Sequence, residues 1–124
     1  MSKILISIKP EFVDAILTGE KKYEYRKIKC KQPVDKIVIY ATSPIKKVVA
    51  EAEAKAVISG TPNEIWNKTH NDSGISKDFY DDYYRSRDVA YAYQLGNIDK
   101  FEKSKSLQDY GIDKAPQSFQ YIST

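Results

Sequence analysis

Residues Lys3–Arg26 read KILISIKPEFVDAILTGEKKYEYR. Ile4, Ile6 and Ile8 alternate with Leu5, Ser7 and Lys9, so Lys3–Ile8 is expected to be a strand with one well-buried face. Pro10 follows at a position where a helix can begin without a backbone donor. Phe12, Val13, Ile16 and Leu17 recur at helical spacing, and Gly19 supplies the stop expected just past a helix end. Lys22–Lys27 then alternates Tyr23 and Tyr25 against Glu24 and Arg26, a second strand with one polar face.

The reading extends outward from there. Lys36–Ala41 (KIVIYA) is a strongly apolar strand, interrupted by Thr42-Ser43-Pro44. Helix and strand propensities compete over Val48–Ile58, and the β-branched residues at both ends favour a long strand. Thr61, Pro62 and Glu64 form a capping box at the start of a helix anchored by Ile65 and Trp66. Asn71–Gly74 is a polar break, and Ser76 caps a further helix with Phe79, Tyr80, Tyr83 and Tyr84 on one face. Ala90–Leu95 is a strand, Lys100–Lys105 a charged edge strand or loop, Ser106–Tyr110 a turn of helix, and Gln117–Ile122 the closing strand. About six short strands, two to four short helices and no βαβ alternation imply an α+β fold with a curved sheet or small barrel. A helix inserted after the first strand would leave a cleft against that sheet.

The 124 residues are read as one domain, 1–124, with no repeat, low-complexity tract or long linker. With 41% hydrophobic and 30% charged residues, the composition is that of a folded globular chain. No apolar run approaches the roughly 20 residues of a membrane span, and Met1–Pro10 alternates unlike a signal peptide. Cys30 is the only cysteine, which excludes an internal disulfide framework and fits a reducing cytosol. Together with the single histidine, His70 in a polar loop, it leaves little material for a His-based triad or a zinc centre, and neither metal nor cofactor is expected. The net charge of +3 is uneven: residues 1–60 hold 12 Lys/Arg against 7 Asp/Glu, and residues 61–124 hold 8 against 10. Lys21, Lys22, Arg26, Lys27, Lys29 and Lys31 are opposed only by Glu24, a local excess suited to a phosphate backbone or to a solvated face.

Chemistry concentrates in Gly19–Arg26, read as G-x-K-x-x-E-x-R. Glu24 and Arg26 share a strand face, and Lys21 at the entry turn can reach across to them. Arg26 can clamp a carboxylate or phosphate, while Glu24 can act as a base, accept from a nucleobase or neutralise Arg26. A partly exposed structural salt bridge is the alternative. If the cluster serves a ligand, its pairs are expected to be exposed and each to be worth less than about 1 kcal/mol of stability.

This stretch resembles the signature of the ASCH domain family, carried by Gly19, Lys21, Glu24 and Arg26. The resemblance extends through SIKPEF at Ser7–Phe12, IVIYATSP at Ile37–Pro44 and APQSFQYI at Ala115–Ile122. It implies a PUA-like β-barrel, with a cleft between the first helix and the barrel wall. It also implies a role in RNA or nucleoprotein biology, regulatory in some members, and related modules read modified bases in such a cleft. One branch hydrolyses N4-acetylcytidine with the motif lysine, a threonine and a distant glutamate. Lys21 matches that lysine, but Glu24 stands where the threonine belongs, which argues against amidohydrolase activity. Glu51, Glu53 and Glu64 are the candidates for the glutamate. Some members are ribonucleases; without a histidine pair, a desolvated Lys21–Glu24 pair would have to serve as acid and base.

The expected binding set is therefore Lys9, Lys21, Glu24, Arg26, Lys27, Lys29, Lys31, Ser43 and Trp66, with Gly19 as a structural member of the motif. Lys21 and Glu24 would be catalytic in an enzyme. Lys9 either points into the cleft or decorates a turn, Ser43-Pro44 is a pocket rim or a plain turn, and Trp66 is core or a lid. Gln117 and Ser118 line the cleft or stitch the barrel closed. Cys30 among lysines has the setting of a lowered thiol pKa. The leading expectation is a module that binds RNA or a modified nucleotide. A hydrolase using Lys21 and Glu24, and a protein-interaction module, are the alternatives.

Overall fold

A computed structural model describes residues 2–122; Met1, Ser123 and Thr124, which the single-domain expectation includes, lie outside the described residues. Strand β1 (Lys3–Ile8) leads through Lys9 into helix α1 (Pro10–Thr18), followed by β2 (Tyr23–Arg26) and β3 (Lys36–Ala41). Strand β4 (Lys47–Gly60), helices α2 (Pro62–Thr69) and α3 (Lys77–Tyr83), β5 (Ala90–Lys105) and β6 (Phe119–Ile122) complete the order. The strands form one curled six-stranded sheet, β2-β5-β4-β3-β1-β6, a half-barrel. The fold is α+β and PUA-like.

Local chemistry accounts for the helix ends. Pro10 opens α1, and Gly19 closes it at φ +87°, donating its N–H to Ile16 O. Thr61 and Glu64 exchange the two hydrogen bonds of a capping box, each 3.2 Å, and Ser76 Oγ accepts from Phe79 N at 3.1 Å. Val13 and Ile16 of α1 enter the concave core with Ile4, Ile6, Ile37, Ile39 and Leu95. A second core cluster of Tyr25, Ile65, Tyr80, Tyr84, Ala90 and Ala92 forms where α2 and α3 cover the other face of β2 and β5.

Two features depart from the sequence reading. Strands β1 and β3 pair in parallel, Ile4 opposite Ile37 and Ile6 opposite Ile39, with α1 and β2 in the crossover, so one parallel unit exists where none was expected. Lys100–Lys105 is no separate edge segment. Strand β5 runs unbroken through Gly96-Asn97 and pairs with β4, whose register shifts around Ala54. Gly96 marks irregular pairing rather than an end: Ala54 stands opposite Leu95 and Ala52 opposite Ile98, and a Cβ on Gly96 would meet the Glu53 carboxylate.

Candidate functional site

The cleft lies between α1, α3 and the sheet, a cavity of about 140 Å³. Its floor is built from the start of β2. Lys21 N–H donates to Ala15 O at the end of α1, and Lys21 forms an isolated antiparallel bridge with Ser73. Gly74 then passes so closely over Lys21 that a Cβ there would lie 2.9 Å from its Cα, and its φ of +64° suits glycine. This clamp turns Lys21 inward and Lys22 outward: the Lys21 side chain is 2% exposed and that of Lys22 59%.

Lys21, Glu24 and Arg26 meet at the floor. Glu24 accepts from Arg26 Nη2 through Oε2 at 2.7 Å, and its Oε1 lies 3.7 Å from Lys21 Nζ. Lys21 Nζ also donates to Ser73 O at 3.2 Å and sits 4.8 Å from the centre of the Tyr25 ring. Arg26 Nη2 further donates to Ser7 O at 3.0 Å, tying β2 to β1 across the open side of the half-barrel. Arg26 Nε is buried with no partner among the described residues.

Burial pulls the Lys21 pKa below the ordinary lysine value; the Glu24 carboxylate opposes that pull and the Arg26 guanidinium adds to it. Tyr25 donates to Thr69 Oγ1 at 2.7 Å, since that hydroxyl spends its own proton on Ile65 O. Burial raises the Tyr25 phenol to about 12. One carboxylate between two cations leaves the floor with an excess of one positive charge in a dry setting, where charge acts strongly.

The expected sites do not all converge on the cleft. Lys21, Glu24 and Arg26 share the cleft floor, and Lys9 lines the rim with its ammonium 5.1 Å from the Phe79 ring. Lys27 lies beside the cleft, 4.6 Å above the ring of Tyr83. Lys29 and Lys31 are exposed around a different depression, floored by Val34, Val57 and Tyr93. Ser43 is exposed in the turn after β3, away from the cleft. Trp66 does not line the cleft: it is partly buried and packs against the second cluster, 4.7 Å from Tyr80.

The cluster was expected to be exposed if it serves a ligand, and it is buried instead. Backbone bridging through Ser73 seals Lys21, and that contact joins residues 52 apart in sequence. Cys30 also departs from expectation. Burial pushes its thiol up, and Cys30 N and Sγ both bond the Tyr93 hydroxyl, at 2.9 and 3.2 Å. Ser7 O, Ser73, Gly74 and the aromatic rim of Phe12, Phe79 and Tyr83 were missed. The four aromatics of α3 held the signal: Tyr80 and Tyr84 turn to the core, while Phe79 and Tyr83 turn to the cleft, where Phe79 packs edge-on against Phe12 at 5.0 Å.

A curled α+β half-barrel with a charged cleft between its first helix and the sheet defines a PUA-like domain. The family model of the ASCH domain matches residues 6–101, and the chain belongs to that family. An ASCH domain-containing ribonuclease of Zymomonas mobilis is 35% identical over 92 residues, covering 73% of this chain and 62% of its own. The large ribosomal subunit protein uL22 of Ureaplasma parvum is 35% identical over 120 residues, 96% of this chain and 39% of its own. The chain thus spans less than two thirds of either relative. The crystal structure of ASCH from Zymomonas mobilis superposes with a TM-score of 0.88 at 28% identity, covering 98% of this chain and 87% of that one. No helix among the described residues is long and apolar enough to cross a membrane.

Proposed function

We propose that residues 1–124 act as one domain that takes an unstacked base of single-stranded RNA, or a nucleotide with a modified base, into the α1 cleft. The observation that carries this reading is the floor: an excess positive charge and a partnerless Arg26 Nε beneath an aromatic rim. An engineered apolar cavity of about 150 Å³ accepts benzene, so a cleft of about 140 Å³ suits one planar ring. Glu24 offers acceptors and Arg26 a donor to the edge of that ring, Phe12, Phe79 and Tyr83 offer stacking surface, and Lys27, Lys29 and Lys31 offer charge to flanking phosphates. The likeness to a relative called a ribonuclease supports RNA as the ligand class. A regulatory role in RNA or transcription biology, in a reducing cytosol, goes with this reading.

Phe79→Ala tests it. Phe79 is 36% exposed, so its removal leaves the core intact, and RNA affinity should fall by about 1–3 kcal/mol for one lost stack. Affinity unchanged in a folded variant would refute the base-in-cleft reading.

A second reading, RNA cleavage, is favoured by the burial of Lys21, which lowers its pKa so that more of it stands as the neutral amine able to take a proton than in an exposed lysine, with the Glu24 carboxylate 3.7 Å away. Labelled single-stranded RNA, cut by the wild type and left whole by Lys21→Met at equal binding, would establish it. Intact RNA with both proteins would leave the binding module.

A further inference from the structure

A second, larger cavity of about 460 Å³ opens at the other end of α1. It shares one wall with the cleft, because Lys21 lines both. Along the helix, Phe12 belongs to the cleft, while Ile16 and Gly19 belong to the groove. Four residues separate Phe12 from Ile16, about 6 Å of helix axis, which makes the two cavities neighbouring stations on one element.

The groove is mixed, with Ile16, Tyr23, Leu95 and Ile98 set among its charged and amide side chains. Lys22 and Lys55 line it, with Asp72 as its one acidic residue, 4.0 Å from the Lys22 ammonium. Lys55 is exposed and forms no ion pair among the described residues. Gln94 and Asn97 add amide donors and acceptors, and Gly19 presents no side chain to fill the space, whereas the space a Cβ on Gly96 would take is held by the Glu53 carboxylate.

Resting on the proposed reading of the cleft, we infer that this groove is the adjoining nucleotide station of the same site. The base enters the cleft, and the next phosphate and sugar of the strand lie beside Lys22, Lys55 and Asn97. Two unpaired or weakly paired ammoniums suit a phosphate, and the amides and Asp72 suit sugar hydroxyls and a base edge. On this flank of the base the strand runs past the C-terminal end of α1, and Lys27, Lys29 and Lys31 serve the phosphates of the other flank. A ligand filling both stations gains from linkage, since the second contact is made within one molecule.

The test uses the full chain with the four ribonucleoside 5′-monophosphates and the homodinucleotides UpU, CpC, ApA and GpG, followed by amide NMR. Monophosphates should shift the amides of Ser7 to Lys9. At least one dinucleotide should also shift Gly19, Gly96 and Asn97 and bind about tenfold or more tightly than its monomer. Lys55→Glu and Asn97→Ala, both on exposed side chains, should remove that gain while leaving monophosphate affinity intact, and Lys103→Ala, on the distant end of β5, should leave both unchanged. Monophosphate binding in the cleft with no dinucleotide gain and no movement at Gly96 or Asn97 overturns the groove alone. No shifts at Ser7 to Lys9 with any probe overturns the cleft reading, and the inference with it. Shifts at Gly96 and Asn97 with polyglutamate but not with dinucleotides would make the groove an acidic-peptide site and equally overturn the inference.

Discussion

Replacing Glu24 by Gln keeps the shape of the side chain and removes the only negative charge on the cleft floor. Two cations depend on that charge: Arg26 Nη2 at 2.7 Å and Lys21 Nζ at 3.7 Å. At an effective dielectric of about 20, each contact is worth on the order of 4–6 kcal/mol before desolvation is counted. Burial of the ions takes most of that back, and breaking one partner of a buried group costs about 3–5 kcal/mol, because uncompensated charge remains. Here two positive charges would face each other, with the Glu24 position only 7% exposed, so the upper part of that range applies. Against a total stability of about 5–15 kcal/mol, this is a third or more of the fold. Urea denaturation at pH 7 measures it: with a slope of about 1.5 kcal/mol per molar, the midpoint should fall by roughly 3 M. The control is Asp81→Asn, which breaks the Lys77–Asp81 pair, equally short at 2.8 Å but more than half exposed on both sides. It should cost less than about 1 kcal/mol. If Glu24→Gln costs no more than Asp81→Asn, the floor is solvated and the argument from buried charge fails.

Four further outcomes follow from the same geometry. The pKa of Lys21 is lower folded than the 10.5 of a free lysine, so the unfolded chain holds the extra proton and stability should rise with pH below about 10; Lys21→Met should flatten that rise in denaturation midpoints taken at about pH 8 and 10. Tyr25 acts in the opposite sense: its folded value of about 12 exceeds the unfolded 10.0, so its contribution is whole below pH 10 and lost above it, and Tyr25→Phe should weaken the alkaline loss seen by circular dichroism. Gly74→Ala, at φ +64° and against Lys21, should cost about 1–3 kcal/mol or more and raise the exchange rate of the Lys21 amide. Replacing Lys27, Lys29 and Lys31 with Ala should reduce the slope of log affinity for single-stranded RNA against log salt by about 2, at about 0.7 per phosphate contact; an unchanged slope would remove those lysines from the interface.

Elements held by short-range chemistry were legible in the sequence. Helix α1 begins at Pro10 and ends at Gly19, and α2 begins at the Thr61–Glu64 box, because caps act within one turn of the chain. Alternation placed β1 and an apolar run placed β3 on their residues, although both faces of each strand are buried: the isoleucines lie in one core cluster and Leu5, Val38 and Tyr40 in another. The motif also named the three side chains that meet on the floor, as Glu24 and Arg26 stand two apart on one strand. Whether Gly96 ends a strand or bends it was not legible. That depends on the neighbouring strand, whose register shifts around Ala54.

What tertiary structure alone decided is the character of the site. Period two groups Lys22 with Glu24, yet Lys21 is the inward lysine, because residues 73 and 74 arrive from far along the chain to clamp its backbone. The same clamp made the cluster buried rather than exposed. The four aromatics of α3 could be assigned to one helix face from spacing, but the face is wide, and only the positions of α1 and β2 split it into core and cleft rim. The parallel pairing of β1 with β3 was hidden for a related reason: hydrophobic alternation reports which face of a strand is buried, and it carries no information about the strand that lies alongside.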